Sequence, residues 1–304
     1  MPGEFQALSI GARAARLLGS RTDWTVAATF ERSFYIRSGD AFICIGDGSI
    51  GDGPLNVVTP TGVIPGLVPG IHCATTSIPD IASPWVPAMN AGMTAVGGHD
   101  GRFGLGLRFA NGVALFANDT CVWQPPLWPT AAPDALTNVR LRALIVAAMT
   151  TAPAESFLHV LPANRPVDAL GRKARTGMAD LRAALRIGDF ETAVTILAGL
   201  GHGLTPSGDD MLAGALLMLH ALGHADKAAA LADAVRRIAP ARTSPLSFAL
   251  LEPACDGEPN AAVHRAIEAL LTGAAPAAVI EPLLSLGATS GFDMLAGMLI
   301  AAGA

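Results

Sequence analysis

Charge is scarce in this chain. Lys, Arg, Asp and Glu make up 15% of 304 residues, no run of Lys or Arg occurs, and the formal net charge is −5. An extended nucleic-acid face needs a concentrated basic patch, so DNA and RNA are not expected partners. Cysteine is scarce as well. Cys44, Cys73, Cys121 and Cys255 are scattered without a C-x-x-C spacing, which speaks against a zinc knuckle or a disulfide framework and suits reduced, buried thiols in the cytoplasm. The N-terminus carries Glu4 and no uninterrupted apolar stretch, so it does not read as a secretory signal. The best apolar run, Met211 to Gly223, holds 13 residues and includes His220, short of the roughly 20 a bilayer span requires. Mean hydropathy of +0.44 then points to buried helices and no membrane. No nucleophile elbow, phosphate-binding P-loop, H-E-x-x-H pair or dinucleotide fingerprint is present. Gly46-Asp47-Gly48 and Gly51-Asp52-Gly53 read as turns.

Hydrophobic residues, by contrast, reach 51%. A surface this short of charge is expected to be covered in part by a homo-oligomeric or hetero-oligomeric partner. Two grammars divide the chain. Up to Pro133 short strand-like stretches such as Trp24–Phe30, Phe42–Ile45 and Leu105–Phe109 are bounded by Gly, Asp, Asn and Pro. Asn111-Gly112, between Leu105–Ala110 and Val113–Ala117, predicts a hairpin, because both residues tolerate the positive φ of a type I′ turn. Six prolines between Pro60 and Pro87 predict an irregular loop or edge strands. After the prolines at 125, 126, 129 and 133 the spacing becomes helical, with helices expected over 134–149, 168–185, 190–199, 225–239, 244–254, 260–271 and 277–286. The expected fold is α+β: residues 1–133 form a β-rich half, antiparallel and barrel- or sandwich-like, packed on a helical bundle at 134–304 with an internal helix repeat.

That repeat is explicit. Ser207-Gly208-Asp209-Asp210-Met211-Leu212-Ala213-Gly214-Ala215-Leu216 and the segment 290–299, Ser-Gly-Phe-Asp-Met-Leu-Ala-Gly-Met-Leu, agree at eight of ten positions, implying two equivalent helix starts. Ser at an N-cap with Asp three residues on is a capping box, so Ser207 with Asp210 and Ser290 with Asp293 can satisfy orphan amides without any further role. The first copy has more than capping requires: Gly201, His202, Gly203, Pro206 and the extra carboxylate Asp209. Glycines flanking a histidine let amide N–H groups turn toward a ligand, and a helix N-terminus favours an anion such as phosphate or carboxylate. Asp209 and Asp210 would repel that anion unless they meet a cation or an amide donor, so the site suits an amide-bearing anion, or an anion with Mg²⁺. His202 is a candidate general acid or base, the competing reading being a hydrogen-bonded loop residue.

A second polar cluster, Arg242-Thr243-Ser244-Pro245-Leu246-Ser247, also opens a helix, with Pro245 suited to the first turn. Arg242 is a candidate clamp for carboxylate or phosphate, or else a solvated residue beside an ordinary cap. Gly97-Gly98-His99-Asp100-Gly101-Arg102 reads as a turn with a surface histidine.

The string Gly203-Leu204-Thr205-Pro206-Ser207-Gly208-Asp209-Asp210, followed by Leu212 and Gly214, resembles the signature of the family that includes the AllH subunit of the three-subunit bacterial oxamate carbamoyltransferase of allantoin catabolism. The resemblance implies a cytoplasmic transferase subunit of purine and nitrogen degradation. It would act on oxamate, oxalurate or a related carbamoyl or amide compound, with carbamoyl phosphate or phosphate as substrate; no protein residue is assigned as a metal ligand, and Mg²⁺ is the one cofactor the site would admit. Such a reaction needs an anion cradle, donors to the carbamoyl oxygen and acceptors for its amino group. His202, Asp209 and Asp210 are the expected catalytic groups, and Gly203, Thr205, Ser207, Gly208, Arg242, Thr243 and Ser244 the expected substrate contacts; Thr205, Ser207, Asp209 and Asp210 are expected to line one concave pocket, with His202 at its edge and Arg242 within reach across it. The alternative is a non-catalytic subunit that organises its partners.

Overall fold

Alternation in the segment Ser33-Phe34-Tyr35-Ile36-Arg37-Ser38 puts Phe34 and Ile36 on one face, and the computed structural model shows that strand with both residues fully buried. The structure describes residues 4–62, 94–95, 106–109, 113–117 and 120–303. It divides into two compact units, Met1–Pro125 and Pro126–Ala304.

The first unit contains two sheets. In the larger, β2 (Ser9–Gly11), β3 (Thr25–Thr29), β4 (Ser33–Ser38), β5 (Ala41–Asp47), β6 (Asn56–Thr59) and β10 (Cys121–Trp123) take the order β10-β2-β6-β5-β4-β3. In the smaller, β1 (Glu4–Gln6), β7 (Thr94–Ala95), β8 (Gly106–Arg108) and β9 (Ala114–Phe116) take the order β1-β9-β8-β7. β5 is buried along its whole length and has neighbours on both sides, which explains its unbroken apolar run. The sheets share one core, where Phe34 meets Phe109 edge to face at 6.1 Å. The arrangement is sandwich-like. Antiparallel pairing is not universal, however: β1 with β9, β10 with β2 and β5 with β6 run parallel. β8 and β9 pair antiparallel as the hairpin requires, with Leu107 opposite Leu115. The Asn111-Gly112 turn, the proline-rich stretch from residue 63 to Pro87 and the Gly97–Arg102 turn lie outside the described residues. One helix, α1 (Ala12–Ser20), stands where only strands and turns were expected; it buries Ala14 and Leu18, one turn apart.

The second unit is helical: α2 (Asn138–Met149), a 3-10 turn at Phe157–Val160, α3 (Ala169–Ile187), α4 (Glu191–Leu197), α5 (Ser207–Ala221), α6 (Ala225–Ile238), α7 (Pro245–Cys255), α8 (Ala261–Leu271), α9 (Pro276–Leu283) and α10 (Ser290–Ala301). Side-chain caps fix several starts, with Asp168 accepting from Gly171 N (2.7 Å), Ser244 from Ser247 N (3.1 Å) and Asn260 from Val263 N (2.9 Å). Pro126 and Trp128 belong to this unit; the Trp128 ring stacks on His264 at 4.5 Å.

α5 and α10 are its centre. Every residue from Ser207 to Leu219 is buried, as expected for a helix that is apolar all round and packed all round. The two helices cross with a local two-fold relation. A Cβ on Gly214 would collide with the Met294 carbonyl oxygen, and one on Gly297 with that of Met211. These are the same two repeat positions, read in opposite directions. The repeat also reaches further back than the matched ten residues. Gly208 packs on the carbonyl of Leu197, the last residue of α4, and Gly291 on that of Leu283, the last residue of α9. α3 packs on α4 as α8 packs on α9, so α3-α4-α5 and α8-α9-α10 are two copies of one three-helix unit.

Candidate functional site

The expected capping boxes do not form. Pro206 and Thr289 occupy the N-cap positions, Ser207 and Ser290 lie in the first turn, and neither helix has a side-chain cap. Instead the pairs cross between the copies: the Ser207 hydroxyl lies against Asp293 and the Ser290 hydroxyl against Asp210, each favouring the charged carboxylate. A swap of this kind leaves the local sequence unchanged, because equivalent residues of a two-fold pair carry the same spacing as residues within one helix.

Around Asp210 and Asp293 the structure gathers hydroxyls. Asp293 Oδ1 accepts from Ser156 Oγ (2.8 Å) and Phe157 N (2.7 Å), and its carboxyl also meets the Thr289 hydroxyl. Asp210 meets Ser290 and Thr205, whose own hydroxyls are 3.1 Å apart. The Oδ2 atom of each aspartate is buried with no hydrogen-bond partner among the described residues. An unpaired buried charge costs several kcal/mol. Burial first, then the negative charges of Asp293 and Asp209, hold the Asp210 carboxyl well above the usual carboxylate range, and burial raises that of Asp293 against the pull of its donors.

Asp209 has a different fate from the one expected. It does not face a cleft: it is 2% exposed and satisfied by three donors. Gly199 N gives to Oδ1 (2.8 Å), while Ser247 Oγ (2.6 Å) and Thr243 Oγ1 give to Oδ2. The carboxylate thus ties the loop after α4 to the first turn of α5 and the start of α7. Ser247 joined the Arg242–Ser247 cluster in the sequence, and its four-residue spacing from Thr243 was the available sign of a shared partner. Ser156 carried no sign at all, lying 137 residues from Asp293.

The α5 start is not an open amide cradle either. Gly208 N donates to Leu200 O (2.8 Å), and the amides of Asp209 and Asp210 donate to Pro206 O (2.8 and 3.2 Å). The free donors lie one step earlier. From Gly201 to Thr205 no amide donates to a partner among the described residues. Gly201 and Gly203 hold φ of 125° and 95°, which a side chain would strain. His202, Gly203 and Leu204 are exposed and Thr205 is half-buried. On the neighbouring turn Arg242 and Ser244 are exposed, and the Arg242 carbonyl abuts Gly199.

The predicted residues therefore fall into three groups rather than one pocket. His202, Gly203, Thr205 and Arg242 belong to the exposed loop and its neighbouring turn. Ser207 and Asp210, with Ser290 and Asp293, form the buried crossing. Asp209, Thr243 and Ser244 are tied into the fold, as is Gly208 beneath Leu197. Among the described residues no group of three or more His, Cys, Asp or Glu side chains is arranged to hold a metal ion, and no described helix is long and apolar enough to cross a membrane.

Residues 197–302 match the model of a family described as oxamate carbamoyltransferase subunit AllH. The match begins at the last residue of α4 and takes in the loop, both crossing helices and every element between them, roughly a third of the chain. It agrees with the resemblance carried by Gly203–Asp210. No curated protein and no solved structure matches the chain significantly.

Proposed function

We propose that the chain is a subunit of a cytoplasmic carbamoyltransferase-type complex acting on oxamate, oxalurate or a related carbamoyl or amide compound, and that the loop 198–206 holds the anionic substrate. The observation that carries this reading is the run of unpaired amides from Gly201 to Thr205, in a loop that Asp209 anchors from below. Successive amides freed by positive-φ glycines make a concave donor surface suited to phosphate or carboxylate oxygens. Arg242 adds a planar cation from the adjoining turn, and His202 an exposed imidazole. Carbamoyl exchange between phosphate and an amide nitrogen develops negative charge on oxygen, which such donors stabilise. Allantoin and purine nitrogen breakdown is the setting that oxamate chemistry supplies.

One observation favours the assembly reading. Leu127, Val139 and Val146 are 95%, 78% and 67% exposed, the last two on one face of α2, where a partner subunit would bury them.

Calorimetry with carbamoyl phosphate and with oxamate, on the chain alone and with copurifying subunits, tests the choice. Binding is expected, weakened about tenfold or more by Arg242→Ala through loss of charge-assisted hydrogen bonds, with Tm unchanged. No binding in either form would leave the assembly role.

A further inference from the structure

The buried crossing of α5 and α10 holds more polarity than packing needs. Asp210 and Asp293 are 5% and 0% exposed, and each keeps one oxygen without a donor among the described residues. Their surroundings differ. Asp293 accepts a backbone amide, Phe157 N, besides the Ser156, Ser207 and Thr289 hydroxyls, and an amide can serve only the charged or accepting form. Asp210 meets hydroxyls alone, those of Ser290 and Thr205. A hydroxyl can accept from a neutral carboxyl as readily as it donates to a charged one. The charged groups acting on Asp210 are both negative, Asp293 from α10 and Asp209 from its own helix. These surroundings favour the negative charge on Asp293 and a proton on Asp210. From Asp210 a path leads outward: Ser290 Oγ is 3.1 Å from Thr205 Oγ1, and Thr205 is half-buried beside the exposed His202–Leu204 segment.

We propose that Asp210, held neutral beside Asp293, is the proton source for carbamoyl exchange and acts through the Ser290 and Thr205 hydroxyls. This rests on the reading of loop 198–206 as the substrate site. In the direction that forms carbamoyl phosphate, an oxygen of hydrogen phosphate bonds to the carbamoyl carbon. The C–N bond breaks and its electron pair goes to nitrogen. Nitrogen takes a proton from Thr205, Thr205 takes one from Ser290, and Ser290 takes one from Asp210. The proton shed by the hydrogen phosphate restores Asp210, so none is gained or lost overall. In the reverse direction the same steps run backward: Asp210 gives its proton to the departing phosphate oxygen, and the attacking amide nitrogen returns one to it through Thr205 and Ser290. Asp293 is a positioning residue, whose negative charge keeps the proton on its neighbour.

Infrared spectroscopy of the full chain at neutral pH reads the proton directly: a carbonyl band of a buried carboxylic acid is expected in the wild type and absent in Asp210→Asn, which matches the shape of the neutral acid and should fold. With the complex assembled, Asp210→Asn is expected to lower kcat about a hundredfold with KM for phosphate nearly unchanged. Ser290→Ala should do the same with the infrared band retained. Asp293→Asn should move the alkaline fall of kcat to lower pH, since Asp210 loses a negative neighbour. No band that depends on Asp210, or an Asp210→Asn complex with wild-type kcat and pH profile, overturns the proton role while leaving the loop as a substrate site. Failure of the wild-type chain and complex to bind any carbamoyl compound or phosphate overturns both.

Discussion

The two three-helix copies differ most where they first look alike. Both open their central helix with Ser-Gly-x-Asp, but x is Asp209 in the first copy and Phe292 in the second. Both positions are buried, at 2% and 4% exposure. In the second copy the ring joins the apolar core, and the connection from α9 needs only residues 284–289. In the first the carboxylate takes three donors and anchors the longer connection 198–206, whose middle is left with unpaired amides. One copy closes the core, while the other forgoes apolar burial at that point to hold a polar loop in place. Chemistry-bearing exposure in this molecule is thus a departure from the repeat, and the repeat itself supplies the rigid base.

The largest effect should be the one that ignores the difference. Gly214→Ala and Gly297→Ala each drive a Cβ into the backbone of the opposite helix, and each is expected to cost about 3 kcal/mol or more in denaturant unfolding. A marked inequality between them would break the two-fold relation. Next comes the substitution that exposes it. Asp209→Ala strands Gly199 N, Thr243 Oγ1 and Ser247 Oγ and should cost roughly 3 kcal/mol, with hydrogen exchange quickened in 198–206 and unchanged in 284–289. Phe292→Ala, a cavity substitution of about 3 kcal/mol, should leave both loops alone.

A smaller effect is expected from pH. Burial and two negative neighbours raise Asp210 well above the usual carboxylate range, so the folded state keeps a proton that the unfolded chain has released. Its contribution is fully present below the unfolded value and is lost as pH rises toward the folded one. Asp210→Asn removes this titration. The variant's Tm should therefore exceed the wild type's by a margin that grows from acid to neutral pH, and a margin that shrinks would reverse the sign of the account. The smallest effect belongs to His202→Ala, which touches an exposed side chain and should change stability by less than about 0.5 kcal/mol while weakening ligand binding.

Much of this was legible in the residues. The caps Asp168, Ser244 and Asn260 mark helix starts that formed as read, and the strand-like stretches Trp24–Phe30 and Phe42–Ile45 correspond to β3 and β5. α1 was not, because nine residues rich in Ala and Arg between strand-like runs offer too short a periodic window. The site was half legible. The extra residues of the first copy marked the loop, but spacing alone placed Asp209 in a cleft and paired Ser207 with Asp210. Both errors have one cause: partners such as Gly199, Thr243, Ser247 and Asp293 come from other segments, and a local pattern cannot tell an idle carboxylate from one whose donors arrive through the fold.

The central claim is that substrate is held by the longer of the two loops, the 198–206 connection of the first copy. Backbone hydrogen exchange in the presence and absence of carbamoyl phosphate reads it directly, residue by residue. The amides of 201–205 are predicted to slow on ligand addition while those of 284–289 do not change; unaltered exchange at 201–205 under saturating ligand would contradict it.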